Sequence, residues 1–317
     1  MPARPDENPL MSALPLFVLS RCRVGVLALV GLLCAGAVQA QDGHAAEVER
    51  WRAQRVENLK KPDGWFSYAG SGLVTVGEHR VGGAADNDIV LPGGPDHLGV
   101  LLLDAAGGLR FRPAFDSAAR IDGRPFDDAA LASNAGGGQP TRIDIGDKWF
   151  YVVRTGDVFG WRYRDPDSPG LRHFLAQGIE VWPVDPAWRV EAHWEAFDPP
   201  REVEQVSVIG TVTTETSPGR AHFEVGGRAF ALQPVDGGNG QLFFIFADRT
   251  SGRESYGAGR FLYADAAVDG RVVLDFNKAY NPPCALSPHV VCPVALPENR
   301  LDLRVEAGEK KYAALVD

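Results

Sequence analysis

The sequence predicts a mainly β protein with one N-terminal helix. Its 317 residues include 36 Gly and 23 Pro, so turns are frequent and short strands are favoured over long helices. From Trp65 onward, short apolar runs alternate with turns that are rich in Gly and Asp. A chain of this length is typical of roughly two domains of about 150 residues each. We therefore expect a helix followed by two β domains.

The N-terminus has the composition of an export signal. Arg21 and Arg23 precede an apolar run over residues 24–38, and the small side chain of Ala40 suits a cleavage site before Gln41. The run is shorter than the roughly 20 residues that span a bilayer. Residues 1–40 are therefore predicted to be a signal peptide, which makes the mature protein periplasmic or secreted, with no stable membrane span. An uncleaved anchor is the alternative.

Residues 41–64 are expected to form the N-terminal helix. Val48, Trp51, Val56 and Leu59 give it a partial apolar stripe, and the Pro-Asp-Gly sequence at 62–64 should end it. We expect this helix to pack as a brace against a sheet.

Residues 65–164 should form the first β domain. Strand-like runs occur at Leu73–Val76, Val100–Leu103, Leu109–Arg112 and Trp149–Arg154. Gly-Gly at 107–108 and Asp-Gly at 122–123 are suited to hairpin turns, because these residues tolerate a positive φ. A β-sandwich is the natural architecture for such strands.

Four strings in this region are similar to those of a degenerate forkhead-associated sandwich: residues 79–83, 86–91, 121–123 and 145–147. Domains of that family bind phosphothreonine through an arginine directly after a glycine and a serine in a later loop. Here Gly83 stands where the arginine is expected, and the loop at 92–98 contains Asp96 and His97 but neither serine nor arginine. The resemblance therefore implies a forkhead-associated-like sandwich without a phosphopeptide partner.

Residues 165–175 open with a Pro- and Asp-rich stretch that predicts a linker, and residues 176–317 should form the second antiparallel β domain, a sandwich or a barrel. Gly-Gly at 226–227 predicts a hairpin. The almost wholly apolar run at Gln241–Ala247 predicts a central strand, and residues 299–307 also alternate as a strand would.

This second domain also contains the candidate site. Strand alternation places Asp275 and Asn277 on one face, opposite an apolar face. Gly257 and Gly259 open the backbone around Arg260, which could hold an anion. The alternative is a tight turn with Arg260 paired to Glu254 or Asp275. The candidate ligand-binding residues are Arg249, Glu254, Tyr256, Arg260, Asp275, Asn277, Tyr280 and Asn281.

Three functions fit this pattern. The first is binding of a small polar or anionic molecule in a pocket where Arg260 and Asp275 are open to solvent. The second is a hydrolase or isomerase that uses Asp275 or Glu254 as base with Arg260 as its partner. The third is a structural envelope protein whose polar side chains form internal networks.

Other classes of function are not supported. A net charge of −9 gives no sustained cationic surface for nucleic acid. The seven His are scattered singly, so neither a metal site nor a cofactor is expected. With Cys22 and Cys34 removed by cleavage, Cys284 and Cys292 form an even pair that predicts a disulfide. Cys284 acting as a nucleophile with His289 is the alternative.

Several long strings of the second domain resemble the bacterial family catalogued as domain of unknown function 1684. They lie at residues 246–252, 256–260, 275–282, 284, 292–293 and 299–301. The resemblance covers most of the predicted mature chain. It implies a fold and a site region but no reaction.

Overall fold

The computed structural model describes residues 43–314, so the predicted signal peptide lies outside the described residues. The chain divides into two compact units, Met1–Glu47 and Val48–Asp317. Of the first unit, residues 43–47 are described, and they are helical. Among residues 43–314, no helix is both long and apolar enough to cross a membrane.

Helices are few, in agreement with the predicted fold class. Helix α1 covers residues 43–60, α2 is Pro169–Gln177 and α3 is Pro283–Leu286. Short 3-10 helices lie at Trp65–Ser67, Ala135–Gly137, Pro186–Trp188, Phe276–Lys278 and Pro297–Asn299. The N-terminal helix is thus confirmed, and it is followed at once by the predicted Pro-Asp-Gly turn.

The described residues contain the following strands: β1 (Tyr68–Val74), β2 (Gly77–Gly82), β3 (Ile89–Val90), β4 (Gly99–Leu103), β5 (Leu109–Pro113), β6 (Ala129–Leu131), β7 (Ile143–Ile145), β8 (Lys148–Thr155), β9 (Val158–Arg164), β10 (Arg189–Val206), β11 (Val212–Val225), β12 (Arg228–Leu232), β13 (Val235–Asp236), β14 (Gln241–Phe246), β15 (Arg260–Asp265) and β16 (Arg271–Asp275).

The first nine strands form two sheets around one core. One sheet has the order β1-β9-β8-β7 and the other β3-β2-β4-β5-β6, with only the β2–β3 pair parallel. Both sheets contribute side chains to a single apolar cluster, in which Leu101, Phe111 and Phe150 are fully buried. The alternating burial along β4 is that of a strand with one face on a core. This arrangement is the predicted β-sandwich.

The later strands form two further antiparallel sheets. Their orders are β12-β11-β10-β16 and β13-β14-β15, and both contribute to a second core that contains Phe244, Phe246 and Leu274. The predicted central strand is β14. Residues 299–307, however, are not a strand. Asn299 ends the 3-10 helix at Pro297–Asn299, Arg300 forms an isolated bridge to Ala247, and residues 301–307 run as irregular chain, although Leu301 and Val305 are buried as the alternation predicted.

The stretch predicted as a linker contains the start of α2. Ser168 caps this helix, because its Oγ accepts a hydrogen bond from the Leu171 amide at 3.0 Å, and Pro169 occupies the first helical turn. Leu171 and Phe174 pack with Phe66 in a third apolar cluster. The Pro- and Asp-rich stretch that predicted a linker therefore also contains the start of a helix, with Ser168 as its cap and Pro169 in its first turn. The division into domains at this point stays a prediction.

Candidate functional site

Arg260 is the first residue of β15 and is fully buried, with 0% of its surface exposed. Its guanidinium donates to the Val305 carbonyl at 2.8 Å and to the Ala307 carbonyl. The neighbouring Gly259 has φ +118°, and a Cβ there would lie 2.8 Å from the Phe246 carbonyl oxygen. Glycine is thus required at 259 by close backbone packing, and it does not open a path for a ligand.

The acidic partner of Arg260 is Asp248, at 3.4 Å. This carboxylate, which is also buried, accepts from the Val305 amide at 2.7 Å and from Thr250 Oγ1 at 2.8 Å. Burial lowers the pKa of Arg260 and Asp248 opposes that shift. The two charges therefore hold the 305–307 segment against β15 from inside the core. The expectation that Arg260 is open to solvent is wrong.

Asp275 and Asn277 are also inside the protein, with 7% and 0% of their surfaces exposed. Strand β16 ends at Asp275, whose Oδ1 caps the following 3-10 turn by accepting from the Asn277 amide at 3.2 Å and from its Nδ2 at 3.0 Å. Asn277 in turn bonds both the amide and the carbonyl of Asp185, each at 2.9 Å. The strand alternation correctly paired these two residues, but the polar face that they share is buried.

Two other candidates lie at the surface. Arg249 pairs with Asp302, and Glu254 pairs with Arg304 at 2.9 Å. Their side chains are 62% and 44% exposed, respectively. Because Glu254 pairs with Arg304 and Arg260 with Asp248, the proposed arrangement of a carboxylate base beside Arg260 is not favoured by these contacts.

Tyr280 and Asn281 lie where α1 meets the chain that follows β16. The guanidinium of Arg55, from α1, stacks 4.3 Å from the centre of the Tyr280 ring. It also donates to the Asn281 carbonyl at 3.1 Å and to Glu309 Oε2 at 3.1 Å. Glu309 accepts from the Asn281 amide at 2.7 Å and from its Nδ2 at 3.0 Å. Glu309 is therefore an internal link between α1 and the C-terminal segment.

Beside this link is a cleft of about 450 Å³. Four aromatic side chains line it: Trp51 of α1, Trp65 of the following 3-10 helix, Tyr263 of β15 and Tyr280 of the chain after β16. Trp65 and Tyr263 are 40% and 42% exposed. Polar lining comes from Gln54, Arg55, Asn58 and Asp63. We call this the aromatic cleft. Of the predicted site residues, Tyr280 is in its lining, and Asn281 contacts the same Arg55.

Sequence reasoning missed the cleft because its residues are distant along the chain and belong to different elements. Trp51 was predicted to lie on the apolar stripe of α1, and neither Trp65 nor Tyr263 was among the predicted site residues. The available signal was a pair of tryptophans, one within α1 and one at the start of the 3-10 helix that follows it, in a chain with 7 Trp.

Backbone packing at the loop after β2 explains why Gly83 stands where the forkhead-associated resemblance leads one to expect an arginine. A Cβ on Gly83 would lie 2.5 Å from the Gly94 carbonyl oxygen, and one on Gly82 would lie 2.2 Å from that of Asp96. Residues 82–83 and the 94–96 segment are therefore in close backbone contact, which leaves no space for side chains at 82 or 83. The forkhead-associated resemblance itself stays a prediction.

Cys284 and Cys292 are both free thiols in the structure, so the predicted disulfide stays a prediction. The two residues are nevertheless adjacent, since the Cys284 amide donates to Cys292 Sγ at 3.0 Å. Tyr256 is half-buried and its hydroxyl hydrogen-bonds Cys284. Tyr256 thus contacts the cysteine pair, whereas Arg260 bonds Asp248, Val305 and Ala307. Within residues 43–314, no group of three or more His, Cys, Asp or Glu is arranged to hold a metal ion.

Comparison with known proteins adds the following. No curated protein matches the chain. The solution NMR structure of an uncharacterized protein from Haloarcula marismortui is 28% identical to it, over 45% of this chain and 80% of that chain, with a TM-score of 0.38. Residues 175–310 match the family described as "Protein of unknown function (DUF1684)", which supports the family resemblance for the part of the chain that contains β10–β16 and Glu309.

Proposed function

We propose that this protein binds a small polar molecule of the saccharide class in the aromatic cleft. The observation that carries the proposal is the cleft itself: about 450 Å³ lined by four aromatic rings, two of them well exposed, with amide side chains beside them. Small-molecule sites are commonly concave, largely apolar and furnished with a few polar groups that fix orientation.

The polar lining favours a neutral ligand with several hydroxyls. Gln54 and Asn58 are exposed on one face of α1, where Gln54 Nε2 donates to Asn58 Oδ1 at 3.3 Å, and their remaining donors and acceptors are available to a ligand. Arg55 is the cation of the cleft, but Glu309 already pairs with it. An anion would have to compete with that carboxylate. A sugar ring needs no counter-charge, and its apolar face can stack on Trp65 or Tyr263.

The other candidate functions have less support. The enzyme alternative required a carboxylate beside an accessible Arg260, and Arg260 is buried with Asp248. The structural alternative fits the Arg260 and Asn277 networks. It also fits the stacking of Trp65 on Tyr68 and of Tyr263 on Phe243, but it gives no reason for the surface that Trp65 and Tyr263 leave exposed. We therefore separate the two roles: the buried networks hold the fold, and the aromatic cleft binds the ligand.

The first experiment is a titration that uses intrinsic tryptophan fluorescence, because Trp51 and Trp65 both line the cleft. Before the titration, native mass spectrometry of the purified protein would reveal any co-purifying molecule. Glucose, N-acetylglucosamine and their disaccharides are then titrated into the full chain. We expect saturable binding of at least one of them.

Trp65→Ala and Tyr263→Ala should each weaken that binding by about 1 kcal/mol, or roughly fivefold, through loss of a stacking face. The matched control is Phe115→Ala, which removes an exposed ring (96%) that does not line the cleft and should leave affinity unchanged. Absence of a saturable signal with every saccharide, or equal affinity in all three variants, would show that the cleft is not a saccharide site.

We further propose that the protein works after export, as a periplasmic or secreted molecule. Support comes from the sequence alone: the arginine-flanked apolar run and the small residues before Gln41. N-terminal sequencing of exported protein should begin at Gln41. Recovery of material that retains residues 1–40 would refute the cleavage.

A further inference from the structure

The two cysteines of the second unit are held in contact by the backbone around them. Cys284 lies in α3, its amide donates to Cys292 Sγ at 3.0 Å, and the two thiols hydrogen-bond each other. Pro282 and Pro283 fix the backbone entering α3. The two thiols are therefore neighbours, and such proximity is the first requirement for closing an S–S bond.

The two thiols differ in access and in hydrogen bonding. Cys284 is half-buried, whereas Cys292 is 2% exposed and packs with Ile245, Phe261 and Ala295. Hydrogen bonds from Cys292 and from the Tyr256 hydroxyl lower the pKa of Cys284, against the opposing effect of burial. The pKa of Cys292 is raised by the hydrogen bond with Cys284 and by burial. Of the two thiols, Cys284, the less buried one, is thus the one whose thiolate form is favoured.

We propose that Cys284 and Cys292 are a redox-active pair that exchanges with small-molecule disulfides, with Cys284 as the attacking thiol and Tyr256 as a positioning residue. Cys284, which is half-buried, reaches the external disulfide, and the buried Cys292 then displaces the second half of that molecule from Cys284. This inference is independent of the saccharide cleft.

The reaction balances as two successive displacements. The Cys284 thiolate attacks one sulfur of the external disulfide RSSR, the S–S bond breaks, and RS⁻ leaves and takes up the proton that Cys284 released. Cys292 then loses its proton and attacks Cys284 Sγ, expelling the second RS⁻, which is protonated in turn. The two thiols are oxidised to one disulfide, and RSSR is reduced to two RSH.

The pair brackets a segment that touches both β regions. His289, between the two cysteines, hydrogen-bonds Ser71 of β1 at 3.1 Å. The Cys292 carbonyl accepts at 2.9 Å from the amide of Val208, which lies in the turn between β10 and β11. Oxidation would tie the two ends of this segment together. The redox state therefore bears on how firmly residues 285–291 are held against the N-terminal sandwich.

The test uses the full chain, reduced and then incubated with glutathione disulfide, with peptide mapping to separate Cys284 and Cys292 from Cys22 and Cys34. In the wild type, Cys284 should be modified first and the 284–292 disulfide should follow, and dithiothreitol should reduce it again without denaturant. Cys292→Ser should accumulate glutathione on Cys284. Cys284→Ser should react at least about tenfold more slowly.

Tyr256→Phe tests the positioning role. Its pH profile of Cys284 alkylation by iodoacetamide should have a higher midpoint than that of the wild type, because one donor to the thiolate is gone. Tyr151→Phe, whose hydroxyl contacts Tyr68 instead, is the matched control and should not shift the profile.

Equal modification rates for Cys284 and Cys292 in the folded wild type would overturn the assignment of roles without relying on any variant. A 284–292 bond that dithiothreitol reduces only after unfolding would show a purely structural disulfide, and that result would also overturn the proposal.

Discussion

The side chain of Arg260 illustrates how a charge can be accommodated inside this protein. Its hydrogen bonds go to Asp248 and to the carbonyls of Val305 and Ala307, so the burial cost of the guanidinium is offset by a charged partner and by peptide dipoles. Removing one member of such a pair leaves the other charge buried without its partner. The expected effect is on stability, and a ligand is not needed to explain the residue.

Arg260→Ala should therefore lower the free energy of unfolding by about 3–5 kcal/mol, as breaking a buried ion pair does. Urea denaturation followed by circular dichroism measures this. Arg304→Ala is the matched control: it removes an exposed arginine that pairs with Glu254 and Glu306, and it should change stability little. Equal small effects of both substitutions would mean that the Asp248–Arg260 pair does not stabilise the fold.

At the scale of elements, α2 depends on a single capping residue. Ser168 is fully buried, and its hydroxyl accepts from the Leu171 amide while it donates to the Phe66 carbonyl. The cap thus starts the helix and attaches it to the chain that precedes β1. The helix can then place Phe174 against Phe66, with ring centres 4.4 Å apart.

Ser168→Ala should destabilise the protein by about 1–2 kcal/mol, because a helix cap and a buried hydrogen bond are lost together. The same substitution at Ser133 is the control, since that hydroxyl accepts only a 3.3 Å bond at an exposed position. Denaturant midpoints of the two variants and the wild type give the comparison. A Ser168→Ala midpoint equal to that of Ser133→Ala would contradict the capping role.

Across the whole of the second unit, distant parts of the chain meet in one small apolar cluster. Leu59 from α1, Leu171 from α2, Leu286 from α3 and Tyr312 near the C-terminus all belong to it. Burial raises the pKa of Tyr312 to about 12. Tyr68 also has a pKa raised to about 12, chiefly by burial and then by Tyr151.

These raised values predict alkaline destabilisation. Each tyrosine is neutral in both states below pH 10, the ordinary value, so its contribution is complete there. As the pH rises from 10 towards 12, the unfolded chain ionises first and stability is lost. Urea midpoints should fall in this window, and less steeply in Tyr312→Phe, which cannot ionise at that position. Identical slopes in wild type and variant would contradict the prediction.

Much of the fold follows from local pattern. The burial of β4 follows from period-2 alternation and that of β14 from a short continuous apolar run, so the sequence predicts both strands. Residues 299–307 alternate in the same way, yet their backbone pairing with a neighbour is limited to an isolated bridge between Arg300 and Ala247 and a few hydrogen bonds beside it. Alternation reports which side chains are buried and does not report how far the backbone pairs.

For the candidate site too, some relations follow from the sequence and others depend on the tertiary structure. From the sequence alone it follows that Asp275 and Asn277 share one face and that Arg260 meets an anion, either a ligand or an acidic neighbour, since those relations are local or chemical. Only the tertiary structure decided that Arg260 pairs with Asp248 inside the core and that Trp65 and Tyr263 share a cleft. Burial and long-range proximity depend on how sheets and helices pack, and no pattern within one element contains that information.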